Sequence, residues 1–358
     1  MNIIRILAMI AGVLVLGALL VKANQRSIGI ALLERVAHQR IGESSLDGLP
    51  DGLHVVICGS SSPMPAPNRA GPCVLVQAGE EILVFDAGAG SARQLGVMGV
   101  PVGDVDKIFL THLHSDHIDG LGEMILQSWA AGSRPAPMPV YGPVGTVQVV
   151  DGFNQAYELD AYYRIAHHGA EYIRPDGFGG LATEFSVGRD SSDVVYRSGD
   201  LTVTAFSVNH APVEPAVAFR IDYKDRRVTI SGDTTYYDNM IEAARDADLL
   251  VQEALQRELI KIVEETAAAK GDRQLERIAF DIQDYHASPE EGAQMATAAG
   301  AKHLAFYHLT PPPPARFLYP AFLGDAAKHY SGPITITEDG MLFIMPAGTD
   351  DLRLKKLM

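Results

Sequence analysis

The chain of 358 residues is short of several things, and each shortage narrows what it can be. Two cysteines, Cys58 and Cys73, are too few for a disulfide-dense scaffold or a cysteine-built metal cluster. Positive charge is scarce, with 29 Lys and Arg against 44 Asp and Glu, so a net charge of −15 offers a polyanion no general attraction. The densest basic group, Lys224, Arg226 and Arg227 around Asp225, reads as a solvated hairpin turn. No fixed-period repeat and no low-complexity tract is present, which excludes a solenoid or a disordered array. What remains is 47% hydrophobic, enough for one large core.

Long apolar runs are also missing, with one exception at the N-terminus. Arg5 precedes an apolar stretch from Ile6 to Val21, longer than most signal-peptide cores and shorter than a typical span of about 20 residues. Val21, Lys22 and Ala23 suit cleavage after Ala23; uncleaved, the same segment is an anchor. Residues 1–23 are therefore expected to be a signal peptide or membrane anchor, so that the remainder is exported, either periplasmic or membrane-anchored and facing outward. Residues 24–49 read as a linker whose Ile28, Leu32 and Val36 recur at helical spacing, implying an amphipathic helix that packs on the main domain or on lipid. The main domain is expected over 50–350. Cys58 and Cys73 are expected to be free, buried thiols on neighbouring strands, with a bridge between them as the alternative in an oxidising compartment; a bridge requires a distance and direction between the β-carbons that sequence does not fix.

The most informative stretch runs from Thr111 to His117, which places His112, His114, Asp116 and His117 directly after the strand-like Lys107 to Leu110. Imidazole nitrogen and carboxylate oxygen suit zinc, and a loop leaving a strand can aim several such donors at one point. His210 follows the apolar run Leu201 to Val208, Asp233 follows a strand-like segment, and His308 follows Leu304 to Tyr307. Donors at several strand ends converge on one edge of a sheet. Any one of these histidines alone reads as a core or surface residue; the set, in this order, reads as a metal site.

This ordered set resembles the metallo-β-lactamase superfamily over roughly residues 53 to 345. The resemblance implies an α/β fold, the four-layer αββα sandwich, preceded here by the N-terminal signal or anchor helix. It also implies two divalent metal ions, expected to be zinc: one held by His112, His114 and His210, the other by Asp116, His117 and His308, with Asp233 bridging. The commonest class of β-lactamases has Cys where Asp233 stands, and the flavodiiron branch has Glu where His114 stands, so neither fits. The loop from Cys58 to Pro72, and Val84 to Gly88 with Asp86 as a carboxylate steadying the metal loop, resemble the branch that holds ribonuclease Z and the zinc-dependent arylsulfatases.

Tyr285 to Glu291 supports the same branch. Ser288 suits an N-cap, Pro289 the first helical position, Glu291 a capping box and Gly300 a left-handed stop. In ribonuclease Z a His placed like His286, paired with a Glu placed like Glu253, assists protonation of the leaving group; Gln252 replaces the family His beside that Glu. Without the resemblance, His286 reads as a residue bonding backbone near the cap. Arg69 reads either as a contact for an anionic ester or as a packing residue.

Ribonuclease Z enzymes commonly carry a long tRNA-gripping arm between the third metal motif and the bridging Asp. Here His210 and Asp233 enclose only strand, turn and strand, so that arm is missing. Residues 132–137 and 167–180 read as loops over the pocket mouth or as a surface excursion, and Val140 to Thr146 with Ala156 to Asp160 resembles the arylsulfatase-like branch. The expected activity is hydrolysis of small anionic esters, aryl sulfate or phosphodiester, with catalytic Asp116, His286 and Glu253, possible membrane association through the N-terminal helix, and no nucleic-acid partner. The alternatives are a ribonuclease Z-like tRNA 3′-processing endonuclease, a lactone or thioester hydrolase, or a non-catalytic metal-binding protein at a membrane.

Overall fold

The computed structural model describes residues 3–358 and separates a unit ending at Asp47 from one running Gly48–Met358. In the first unit, α1 (Ile3–Ala23) and α2 (Gln25–Arg40) meet at Asn24. Among the described residues, α1 is the one helix long and apolar enough to cross a membrane, with mean hydropathy 2.6. The expected helix after it forms as α2, but not with a single apolar stripe. Ile28, Ile30, Leu32 and Leu33 are all exposed and, at about 100° per residue, spread around the axis.

The second unit is built on two sheets. The first has the order β15-β14-β1-β2-β3-β4-β5-β6 and the second β13-β12-β11-β10-β9-β8-β7. In chain order the first takes β1 (Gly52–Gly59), β2 (Cys73–Ala78), β3 (Glu81–Phe85), β4 (Lys107–Phe109), β5 (Met138–Pro143) and β6 (Gly180–Phe185). The second takes β7 (Ser192–Ser198), β8 (Leu201–Ser207), β9 (Val217–Tyr223), β10 (Arg226–Ile230), β11 (Leu249–Leu255), β12 (Leu304–Thr310) and β13 (Ile334–Ile336). β14 (Met341–Pro346) and β15 (Arg353–Lys356) return to the first sheet, carrying it past the expected boundary at 350. Each sheet pairs an antiparallel meander, β1-β2-β3 or β7-β8-β9-β10, with a parallel run, β3-β4-β5-β6 or β10-β11-β12-β13.

Alternation along the strands makes the sandwich. Leu53, Val55 and Ile57 of β1, Val74 and Val76 of β2, and Leu83 and Phe85 of β3 face Val217, Phe219 and Ile221 of β9 and Val228 and Ile230 of β10 in one buried cluster. On the far side of the second sheet, Leu250, Ala254 and Phe306 pack with helical Met240, Ala293 and Met295. Helices cover both outer faces. α3 (Ser91–Met98), the one-turn α4 (Ser115–Ile118), α5 (Leu121–Gly132) and α6 (Thr146–His168) precede α7 (Asp238–Ala243), α8 (Arg257–Lys270), α9 (Arg273–Asp281) and α10 (Pro289–Ala299). Layered helix, sheet, sheet and helix, this is the αββα sandwich.

Three details differ from expectation. Cys58 and Cys73 are joined in a disulfide rather than free. The β1–β2 register slips between Ile57 and Gly59, which turns Cys58 toward Cys73 at a Cα separation of 5.0 Å, inside the range a bridge needs. Residues 167–180 do not roof the pocket. They leave the end of α6 and fold against α5, where Trp129 donates to the Arg174 carbonyl and packs with Ile173 and Phe178. Finally, the loop between Gly59 and Cys73 crosses to the other sheet: Leu309 N–H donates to the Ser60 carbonyl at 3.1 Å, tying the end of β1 to β12 beside His308.

Candidate metal centre and active site

The site forms where the parallel strands end. Asp86 follows β3; His112 and His114 lie in the loop after β4; Asp116 and His117 sit on α4. From the opposite sheet come His210 after β8, Asp233 after β10, Glu253 on β11 and His308 on β12. His308 is an irregular strand residue. In the β11–β12 pairing Tyr307 faces Glu253 and Leu309 faces Ala254, so His308 is the extra residue of a bulge, with left-handed φ of 46°. Tyr307 faces the core between the sheets and Leu309 the helical layer, and the bulge frees the intervening imidazole to point at the site. The metal loop approaches the Asp86 turn just as closely: a Cβ on Gly88 would stand 2.5 Å from the Asp116 carbonyl oxygen, so only glycine fits there.

All seven expected donors, His112, His114, Asp116, His117, His210, Asp233 and His308, come together. His112 Nε2 lies 3.1 Å from His114 Nδ1, which lies 3.3 Å from His210 Nε2. Asp233 Oδ2 closes this group at 3.7 Å from His112 Nε2 and 3.8 Å from His210 Nε2. In the second group Asp116 Oδ2 is 3.1 Å from His308 Nε2 and 3.5 Å from His117 Nε2. The same Asp233 Oδ2 lies 3.3 Å from His117 Nε2 and 3.4 Å from His308 Nε2, so one oxygen belongs to both groups.

Neighbouring partners fix which ring nitrogens face inward. His117 Nδ1 donates to Asp86 Oδ2 at 2.8 Å, and His210 Nδ1 donates to the Tyr285 carbonyl at 2.9 Å. Thr111 gives its hydroxyl proton to Asp86 at 2.8 Å, leaving its oxygen to accept from His112 Nδ1 at 3.1 Å. With those protons on Nδ1, the Nε2 lone pairs of His112, His117 and His210 converge with no proton between them. A tetrahedral zinc bound at about 2.0–2.1 Å sets adjacent donor atoms about 3.4 Å apart, within the spread of separations observed. His117 Nε2 and Asp233 Oδ1 are buried and make no hydrogen bond. The donor sets fit two divalent cations.

The electrostatics agree. Burial pushes His112 far below the usual imidazole range and His210 down to about 4. For His117, burial acts the same way, but the charges of Asp233, Asp86 and Asp116 outweigh it and hold the ring well above its ordinary value. Burial would raise Asp233, yet His308 and His117 keep it well below. The buried carboxylates thus demand positive charge where the two groups meet, which is the charge bound cations bring.

His286 and Glu253 complete the pocket. His286 brings a ring nitrogen within 4.8 Å of the donor atoms of Asp233 and His308, and its Nδ1 lies 3.3 Å from Glu253 Oε1. Glu253 is fully buried; its Oε1 accepts from Ala287 N–H at 2.9 Å and Thr234 N–H at 3.3 Å. Burial, with the charge of Asp233 added, raises this carboxyl well above its ordinary range, and burial pushes His286 down to about 4. Both shifts run in one sense: burial disfavours charge on either member of the pair. The capping box at Ser288 forms as expected, with Pro289 at the helix start and Gly300 at φ 69° at its end.

Arg69 lines a cavity of about 460 Å³ with Ser61 to Pro67, Asp116 and Asp119. Its terminal nitrogens are engaged in holding loops together: Nη1 donates to Ser60 Oγ at 2.7 Å and the Thr337 carbonyl at 2.6 Å, and Nη2 to Tyr319 Oη at 3.0 Å. Two functional residues were not singled out from sequence. Thr111 stands in the metal motif itself and was visible there; the Tyr285 carbonyl that orients His210 is backbone, which no residue type announces.

Asp86 carries a testable load, because it fixes His117 directly and His112 through Thr111. Asp86→Ala should lower affinity for the cations about 10- to 100-fold, read by competition with a chromogenic chelator. Unchanged affinity would show that packing alone orients the two rings.

A family profile described as Beta-lactamase superfamily domain matches residues 81–309. Ribonuclease Z of Mycobacterium bovis (strain BCG / Pasteur 1173P2) is 33% identical over 261 residues, 72% of this chain and 86% of that protein. Human tRNase Z, short form, aligns with TM-score 0.58 at 23% identity, covering 82% of this chain and 99% of that one. The metallo-β-lactamase fold protein YhfI of Bacillus subtilis aligns with TM-score 0.57 at 22% identity, covering 81% and 98%. Relatives carrying the name Ribonuclease Z overturn the expectation of aryl sulfates and similar small esters, and with it the expectation that nucleic acid is no partner. The physical error lay in the charge: a net −15 describes the whole chain, whereas the field at the pocket is set locally, by the converging histidines and carboxylates and the cations they would hold. The chain is a hydrolase of the metallo-β-lactamase superfamily and belongs to its ribonuclease Z-like branch.

Proposed function

We propose that the protein is a two-metal endoribonuclease that cuts RNA beyond a tRNA-like 3′ end. The observation that carries this reading is the Glu253–His286 pair, buried beside the donor groups. A phenoxide leaves without help, but the ribose oxygen of a cleaved RNA strand is a poor leaving group and needs a proton in the transition state. A buried, proton-holding pair set at the metal edge has a purpose for RNA that it lacks for activated aryl esters.

His112, His114, His210 and Asp233 would hold one cation, and Asp116, His117, His308 and Asp233 the other. The nitrogen-rich donor sets favour zinc. Bound there, the pair would lower the pKa of a shared water toward neutrality and draw charge from the non-bridging phosphoryl oxygens. Asp116 and Asp233, whose Oδ2 atoms lie among the donor histidines, would orient the attacking water. His286 would pass the proton on Nε2 to the departing ribose oxygen and take one at Nδ1 from Glu253, ending neutral beside the Glu253 carboxylate. Ser61 to Pro67 give the cavity on the Asp116 side a wall against which a nucleotide fits.

The location is a separate proposal. The apolar α1 and the Cys58–Cys73 bridge both support export, since disulfides persist in oxidising compartments. Chemistry selects the bond, and compartment selects which RNA reaches it: on an exported domain that RNA is one already outside the cytoplasm.

Two outcomes are expected. Metal-loaded protein should cut a tRNA precursor at one position near the trailer junction. His286→Ala should slow that cut roughly 10²- to 10⁴-fold while changing bis(p-nitrophenyl) phosphate hydrolysis by less than about threefold. Equal slowing of both, or no cut by the native protein, refutes the reading. For location, full-length protein should fractionate with membranes or periplasm, with both cysteines resisting alkylation until reduced. A cytosolic protein with two freely alkylated thiols rules export out.

A further inference from the structure

The segment that carries His286 is held from outside the pocket by one arginine. Arg257 opens α8 just past the N-cap Gln256 that follows Leu255, the last residue of β11. Its Nε donates to the Gln283 carbonyl at 3.2 Å and its Nη2 to the His286 carbonyl at 3.1 Å. The same Nη2 pairs with Glu291 Oε2 at 2.8 Å. Glu291 in turn accepts from Ser288 N–H at 2.8 Å, the return half of the capping box that starts α10. One guanidinium therefore grips the chain before Tyr285, at His286 and behind Ser288.

That grip acts on His286. His210 Nδ1 pins the Tyr285 carbonyl on one side, so His286, the next residue, is where the guanidinium sets the chain. Two neighbouring contacts anchor residue 287: Leu255 N–H donates to the Ala287 carbonyl at 2.8 Å and Glu253 accepts from Ala287 N–H. Ser288 N–H to Glu291, and Gln283 Nε2 to Glu264 and the Ala279 carbonyl, hold the two ends. The His286 carbonyl between them is held by Arg257, whose planar fork reaches two carbonyls and a carboxylate at once, which a lysine ammonium does not. With 37% of its side chain exposed, the Arg257–Glu291 pair adds little stability as an ion pair, so its value lies in geometry.

We propose that Arg257 is a positioning residue that sets the aim of His286 toward the leaving oxygen. This rests on the role of His286 proposed above. A donor misplaced by about 1 Å loses on the order of a hundredfold, and only on substrates that need its proton.

The test uses the full chain at saturating zinc, with a trailer-bearing tRNA precursor and bis(p-nitrophenyl) phosphate as the two substrates. Arg257→Ala should lower kcat on RNA about 10- to 100-fold with KM within about twofold, and leave the nitrophenyl ester within about threefold. Arg257→Lys should recover part of the RNA rate and keep the native melting temperature, so it decides the matter if the alanine variant does not fold. Equal loss on both substrates, or a native RNA rate in either folded variant, overturns the proposal. His286→Ala is the control: if it shows no leaving-group dependence the function proposed above fails, whereas if it does and Arg257 variants do not, this inference alone fails.

Discussion

A single buried carboxylate oxygen, Asp233 Oδ2, lies within 3.8 Å of the inward nitrogens of four histidines: His112, His117, His210 and His308. An anion at 2% exposure costs several kcal/mol to desolvate unless positive charge stands next to it, and roughly that scale of compensation must come from its neighbours. Two cations held between the donor groups would supply it and leave the imidazoles as neutral ligands. Much of the local structure serves this convergence. The bulge in β12 turns His308 inward, the close pass at Gly88 admits the metal loop, and Asp86 aligns two rings at once.

From that centre the reaction reading follows by leaving group. The cations treat sulfate and phosphate oxygens alike, so the donor sets by themselves do not choose a substrate. The choice comes from the organic side, where a fully buried Glu253 stands 3.3 Å from His286. Sequence kinship with proteins named Ribonuclease Z agrees with a poor, alkoxide leaving group. The backbone around His286 also orients His210, so binding of metal and delivery of the proton share one rigid segment.

The order of donors was legible in sequence because metal chemistry restricts residue type and strand ends restrict spacing; the capping box at Ser288 was legible for the same kind of local reason. What was not legible depended on direction. The Cys58–Cys73 bridge needed the register slip in β1, and the aim of His308 needed a bulge, both properties of pairing between distant segments. Arg69 was ambiguous by type, and its partners Thr337 and Tyr319 lie far along the chain. The stretch after α6 had loop composition, but composition did not say that Trp129 would hold it against α5. Substrate was misread because a summed charge carries no position.

The account stands on two cations sharing Asp233, and counting them is the most direct test. Native full-length protein, purified without chelator and dialysed, should carry two zinc equivalents per chain by mass spectrometry of the metal, with Asp233→Ala losing both. A native chain that holds one ion or none after reconstitution with zinc contradicts the account.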